Sequence, residues 1–256
     1  MSKTSIIIPT IGRKTLGATV ESILAYPEFV NEIIIVKSCA AELIHRENDK
    51  IKVLQAPLSN NVSSARNFGL KNVNSSSQWV AFCDDDDLWL PDKLKIQIEY
   101  CLDRNLDASF TQAFLQTGNN KDTVRPRVDY DEDFSPLNQV YNSIFSRTGY
   151  LPFSSFCFQS GILHEVSFNE DFIEHEDLLF VHSMYQHGYR VGQVPIPLVQ
   201  IESNNIRSVR RFSWHQEHLW VSKLFSLSFR WASVYLFRVL FFKYILFLLT
   251  WRKRHH

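Results

Sequence analysis

Short apolar runs alternate with amphipathic stretches through the first half of this chain. Ser5 to Pro9, Glu32 to Val36, Ile51 to Leu54, Trp79 to Cys83 and Ala108 to Leu115 have the length and the β-branched or aromatic content of buried strands. Between them, Lys14 to about Ala25, Val62 to Asn72 and Pro91 to Tyr100 carry helical spacing, with Asn61 placed to cap the second and Pro91 opening the third. Strands and helices in alternation predict an α/β fold with a mostly parallel sheet flanked by helices. From Gln116 to Ser135 the pattern lapses into polar residues with neither period, which reads as a long surface excursion. Beyond it, LPFSSFCFQSGILHEVSF reads as extended and half buried, Glu176 to Gln186 as a helix stopped by Gly188, and Arg190 to Val194 as a further strand.

The strand that begins at Trp79 stops on four consecutive carboxylates, Asp84 to Asp87. Its carboxyl end is the edge at which open α/β sheets bind their ligands. Four like charges in a row repel one another unless a cation or a set of donors faces them, and hard divalent cations take carboxylate oxygens. The run therefore points to a metal-diphosphate site, with a solvated acidic turn as the plainer alternative.

Composition limits what surrounds such a site. With 256 residues and 45% hydrophobic content the chain can bury a full core, which excludes disorder as a general description. Cys39, Cys83, Cys101 and Cys157 show no paired or zinc-like spacing, as expected of reduced thiols in the cytoplasm. The opening MSKTSIIIPTIGR lacks the long apolar segment of a signal peptide, so secretion is not expected. A formal net charge of zero hides an asymmetry, because from Arg207 onward ten Lys or Arg face the single acid Glu217. In that tail Lys223, Arg230 and Arg238 recur at helical spacing among Phe, Leu, Trp and Tyr. The apolar window Trp231 to Trp251 contains two charges, short of the clean span of about 20 residues that a bilayer requires. A pair of basic amphipathic helices lying on an anionic membrane surface fits this pattern, with a homodimer or core helix and a tilted span as the alternatives; nucleic acid is not an expected partner.

Four segments taken in order, SIIIPTIGR, NNVSSARNFGL, WVAFCDDDDLW and the acidic pair in IEHEDLLF, resemble the inverting GT-A glycosyltransferases of family 2 over roughly residues 4 to 200. The resemblance implies a GT-A, Rossmann-like fold and transfer of a sugar from a nucleotide-diphosphate donor to a glycan or lipid-linked acceptor hydroxyl, with Mn2+ or Mg2+ as cofactor. It implies a nucleotide-sugar-binding half over 1–115, an acceptor-binding and catalytic-base half over 116–205, and the helical tail over 206–256. By the same resemblance Pro9, Thr10 and Arg13 lie beneath the nucleotide, Asp86 is the metal ligand, and Asp84 faces ribose or metal-bound water with Asp85 in support. Asp177 is the base, with Glu174 and Glu176 as near competitors. Arg66 either donates to phosphate or binds a carboxylate of the acidic run. Gly69 allows a close helix approach.

Two departures qualify the resemblance. The second strand ends on Val36-Lys37-Ser38-Cys39 without the acidic pair that reads a nucleobase in many members, which leaves the base open. The Gln-x-x-Arg-Trp element of processive members is absent, which favours addition of a single sugar. The expected setting is the inner face of the cell membrane, in cell-surface glycan synthesis. A nucleotidyltransferase and an inactive scaffold of a glycan-assembly complex remain as rival readings.

Overall fold

The computed structural model describes residues 2–38, 48–56, 61–116, 123–126, 151–172 and 176–202, with Leu219, 221–223, Ser226, 232–233 and 236–237 beyond them. The chain divides into two compact units, Met1–Ser208 and Val209–His256. The first holds strands β1 (Thr4–Thr10), β2 (Val30–Lys37), β3 (Ile51–Gln55), β4 (Trp79–Phe82), β5 (Asp87–Trp89), β6 (Ala108–Gln116), β7 (Thr123–Arg125), β8 (Cys157–Gln159) and β9 (Val191–Glu202). Its helices are α1 (Leu16–Leu24), α2 (Val62–Leu70), α3 (Lys93–Arg104) and α4 (Glu176–Gln186).

The strands form one sheet in the order β3-β2-β1-β4-β8-β6-β9-β5, with β7 on β6. The long ladders, β1 with β2 and β6 with β9, are parallel, as are those of β2 with β3 and β1 with β4. Short antiparallel ladders join β8 to β4 and to β6, β5 to β9, and β7 to β6. The result is the expected α/β class with a mostly parallel sheet. Strand β1 is buried on both faces, which is why it reads as an unbroken apolar run. Ile6 and Ile8 pack with Leu16, Val20 and Ile23 of α1 and Leu94 and Ile98 of α3. Ile7, on the other face, packs with Ala65 and Leu70 of α2 and with Phe82, Phe153, Phe156, Phe158, Phe168 and Phe180.

Several boundaries differ from the sequence reading. Helix α3 begins at Lys93, not Pro91, because Asp92 before it takes the left-handed conformation at φ 57°. The strand expected to stop at Val194 runs on to Glu202 through Pro195 and Pro197. Bulges opposite Thr111, Gln112 and Ala113 absorb the prolines, which have no N–H to give the ladder. The polar stretch after Gln116 contains β7, and Asp87 to Trp89 form β5; at three residues each, neither is long enough to show a period. The segment 151–168 mixes buried and accessible positions, as expected, and its four phenylalanines lie in the core.

In the second unit, the described residues between Leu219 and Phe237 have helical backbone. Arg230 and Arg238 of the expected basic face lie outside the described residues, as do Lys243, Glu174 and the arginines at 207, 210 and 211. Among the described residues no helix is long and apolar enough to cross a membrane.

Candidate active site

Strand β4 delivers the acidic run to the carboxyl end of the sheet, where Asp87 N–H donates to the Asp84 carbonyl at 3.3 Å and closes a turn. Exposure then alternates along the turn. Asp85 and Asp87 are buried, whereas the side chains of Asp84 and Asp86 are 40% and 15% accessible. Asp85 accepts hydrogen bonds from the Thr10 hydroxyl and from Arg13 Nη1, which ties the turn to the end of β1. Gly12, at φ 87°, turns its own N–H back onto the Thr10 oxygen at 2.9 Å, and this left-handed bend directs Arg13 toward the turn. Arg13 Nη1 also lies 3.5 Å from Asp86 Oδ2. Burial works against the Arg13 charge, but Asp85, Asp86 and Asp84 outweigh it and raise its pKa above the ordinary value.

Ser154 fastens the turn from below. Its hydroxyl accepts from Asp84 N–H at 3.0 Å and donates to Asp87 Oδ2, and its carbonyl accepts from the Trp89 indole at 2.9 Å. Burial, followed by the charge of Asp84, raises the Asp87 pKa well above the carboxylate range, and the Ser154 hydroxyl only partly opposes this. Asp87 and Trp89 are thus anchors of the turn.

Helix α2 contributes Arg66, which is 3% exposed. The helix starts at Asn61, whose side chain caps it by accepting from Ser63 N–H at 2.7 Å, as the sequence predicts. Of the two roles open to Arg66, the geometry is that of carboxylate binding: Nη2 lies 2.9 Å from Asp84 Oδ1 and Nη1 lies 3.1 Å from Glu176 Oε1. Its guanidinium carbon sits 4.7 Å from the Phe153 ring centre and 5.4 Å from that of Phe168. The neighbouring Asn67 side chain holds Phe168 by bonding both its carbonyl and its N–H at 2.9 Å. Burial opposes the Arg66 charge, and Asp84, Glu176 and Asp177 overcome it, so its pKa is raised.

Glu176 and Asp177 open α4. Glu176 is buried against Arg66, while Asp177 is half-buried and its Oδ1 accepts from Leu178 N–H at 2.8 Å. Pro9 and Thr10 end β1 beside Val36 and Lys37 of β2, with Thr10 buried. The turn, Thr10, Arg13, Arg66 and the start of α4 therefore meet at one edge of the sheet. Ser154, Phe153, Phe168 and the pairing role of Glu176 were not legible in the sequence. The one available signal was that a buried arginine beside one acid seeks a second. A cavity of about 750 Å3 between the end of α2 and residues 160–170 is lined by Asn67, Phe168 and Glu170 but by none of the turn's carboxylates.

Residues 5–164 match the family model described as "Glycosyl transferase family 2". The Escherichia coli UDP-Glc:alpha-D-GlcNAc-diphosphoundecaprenol beta-1,3-glucosyltransferase WfgD is 26% identical over 151 residues, 57% of this chain and 56% of that protein. TuaG of Bacillus subtilis, a glycosyltransferase named for teichuronic acid biosynthesis, is 31% identical over 117 residues, 42% of this chain and 45% of that protein. The chain thus spans about half the length of the curated relatives it matches. Among solved structures, S. aureus TarS 1-349 in complex with UDP-GlcNAc aligns with a TM-score of 0.61 at 19% identity, covering 84% of this chain and 60% of that one. The fold is shared at that level of identity.

Proposed function

The chain belongs to glycosyl transferase family 2, and from that premise we propose that it moves a sugar from a nucleotide-diphosphate donor to an acceptor hydroxyl, with inversion, in the synthesis of a cell-surface glycan. The observation that carries this reading is the sorting of the acidic turn. Asp85 and Asp87 are consumed as buried anchors, which leaves Asp84 and Asp86 as the accessible carboxylates at the ligand-binding edge of the sheet.

That donor set fits Mg2+ or Mn2+. Among the described residues no three His, Cys, Asp or Glu converge as a ready-made metal centre, and these cations are commonly held by one or two carboxylates together with substrate phosphates. Asp86 is the proposed ligand, with Asp84 toward ribose or metal-bound water. Once bound, the cation supplies Lewis-acid stabilisation of the charge that gathers on the leaving diphosphate. Pro9, Thr10 and Arg13 underlie the nucleotide. Asp177 takes the proton of the acceptor hydroxyl as it attacks the anomeric carbon, and its place in the first turn of α4 favours the ionised form a base requires.

The donor class we propose is a UDP-linked sugar, since WfgD is named for UDP-Glc and TarS has been crystallised with UDP and with UDP-GlcNAc. A lipid-linked glycan precursor is the proposed acceptor class, and the basic tail is proposed to hold the protein to the anionic inner face of the membrane. The test is thermal shift with a panel of nucleoside diphosphates, with and without Mn2+. Asp86→Ala is expected to keep the parental melting temperature without ligand and to lose the Mn2+-dependent rise. An equal rise in variant and parent would refute the metal assignment, and release of pyrophosphate instead of nucleoside diphosphate during turnover would favour a nucleotidyltransferase.

A further inference from the structure

Arg66 is the point at which three separate elements meet. It belongs to α2, pairs with Asp84 of the acidic turn and with Glu176 at the start of α4, and lies against Phe153 and Phe168. A guanidinium is a rigid planar fork, so two carboxylates held on its two terminal nitrogens have a fixed separation. Placing these charges out of water is costly, and a buried ion pair of this kind is often no more stabilising than apolar residues of the same volume. What such a group supplies is placement. The aromatic rings restrict the guanidinium further, because Asn67 pins Phe168 through both of its backbone polar groups.

We propose that Arg66 is a positioning residue that sets the distance between the acidic turn and the start of α4, so that Asp177 meets a donor held at the turn and occupancy of the turn is transmitted to α4. The inference rests on the donor reading of the acidic turn given above. It differs from a direct phosphate contact, because Arg66 is buried and its terminal nitrogens bond carboxylates from two different elements. It also differs from a purely structural role, because the quantity at stake is the register of two reacting groups.

Arg66→Met alone strands the Glu176 charge in the core and can unfold the protein. The informative variant is Arg66→Met with Glu176→Gln, which removes both buried charges and leaves the more exposed Asp84 to water. The probe is the tightest binder among UDP, GDP, ADP, CDP and dTDP, with Mn2+, followed by hydrogen exchange over residues 84–89 and over α4. In the parent, ligand is expected to slow exchange in both segments. The double variant is expected to melt close to the parent, bind the same nucleotide, and slow exchange only in 84–89. With the matching nucleotide-sugar, its release of nucleoside diphosphate at saturating donor is expected to fall roughly 10²-fold with KM little changed, the scale of an ångström-sized misplacement. Adding back charge as Arg66→Lys is expected not to restore the rate, since an ammonium has no fork. Parental turnover and parental α4 protection in the double variant would overturn the positioning role and leave the donor reading intact. A parent that binds none of the five nucleotides with Mn2+ would overturn both.

Discussion

At the scale of single residues, the proposed base Asp177 and the buried Lys93 make separable predictions. Asp177→Asn is nearly isosteric and cannot take a proton, so nucleotide binding is expected to persist while transfer falls roughly 10²-fold or more. Near-parental turnover would move the role to Glu174 or Glu176. Lys93 stands apart from the site. Its Nζ donates to Gln97 Oε1 at 2.8 Å and lies 4.0 Å from the Trp89 ring centre, fully enclosed. Burial pushes its pKa from 10.5 down to about 8, despite the opposing influence of Cys157, Cys83 and Cys101. Between about pH 8 and 10.5 the unfolded chain therefore binds a proton that the folded chain does not, and the Lys93 contribution to stability improves as pH rises through that window. Burial raises the thiols of Cys101 and Cys157 from 9.0 to about 11 and about 12, so they contribute with the opposite sign above pH 9. The lysine must be isolated as a difference: urea titrations of the parent and Lys93→Met are expected to diverge in the parent's favour from pH 8 to 10.5, by on the order of 3 kcal/mol at most. A pH-independent difference would show that Lys93 is charged throughout. Of the site itself, the residue types that bear chemistry were legible: an acid run after an apolar strand, an arginine on a patterned helix, and an acidic pair at a helix start. Their supports were not, because Ser154 and Phe168 reach the turn and Arg66 from about 70 and 100 residues away in the chain, a separation that leaves no pattern in a sequence.

At the scale of elements, helix α2 depends on closeness to β1. A Cβ on Gly69 would lie 2.5 Å from Ile7 Cγ2, inside any tolerable contact. Gly69→Ala gains about 1 kcal/mol of helix propensity but overpacks a full core at roughly 1–3 kcal/mol, so a net loss is expected, read as a lower urea midpoint at unchanged m. A stabilised variant would mean that α2 can lift from the sheet without penalty. The same burial explains which elements the sequence disclosed. Strands β1, β2 and β4 are long or apolar enough to be read directly, and Asn61 marks its helix through its own side chain. Strand β9 was read only to Val194 because Pro195 and Pro197 ordinarily end a strand, and only the bulged pairing with β6 shows why they do not here.

At the scale of the whole molecule, the asymmetry of charge predicts where the protein works. The intact chain is expected to sediment with anionic vesicles at low salt, and less with neutral vesicles or at high salt, through Lys223, Arg230 and Arg238. Truncation before Leu219 is expected to abolish sedimentation and preserve nucleotide binding. Failure to bind anionic vesicles, or loss of nucleotide binding on truncation, would favour a core or dimer role for the tail. The sheet order carries a further consequence, for synthesis on a ribosome. Strands β1 to β4 can pair as soon as Phe82 has emerged, and Asp85 can then reach Thr10 and Arg13. Arg66 must wait for Glu176, and β5, which carries the far side of the acidic turn, must wait for the stretch of β9 up to Ile201 that pairs with it. A nascent or prematurely ended chain therefore holds a half-made acidic turn in which Arg66 has Asp84 but lacks its second carboxylate, so an interrupted translation product is expected to be conspicuous to chaperones and proteases and to lack a competent site.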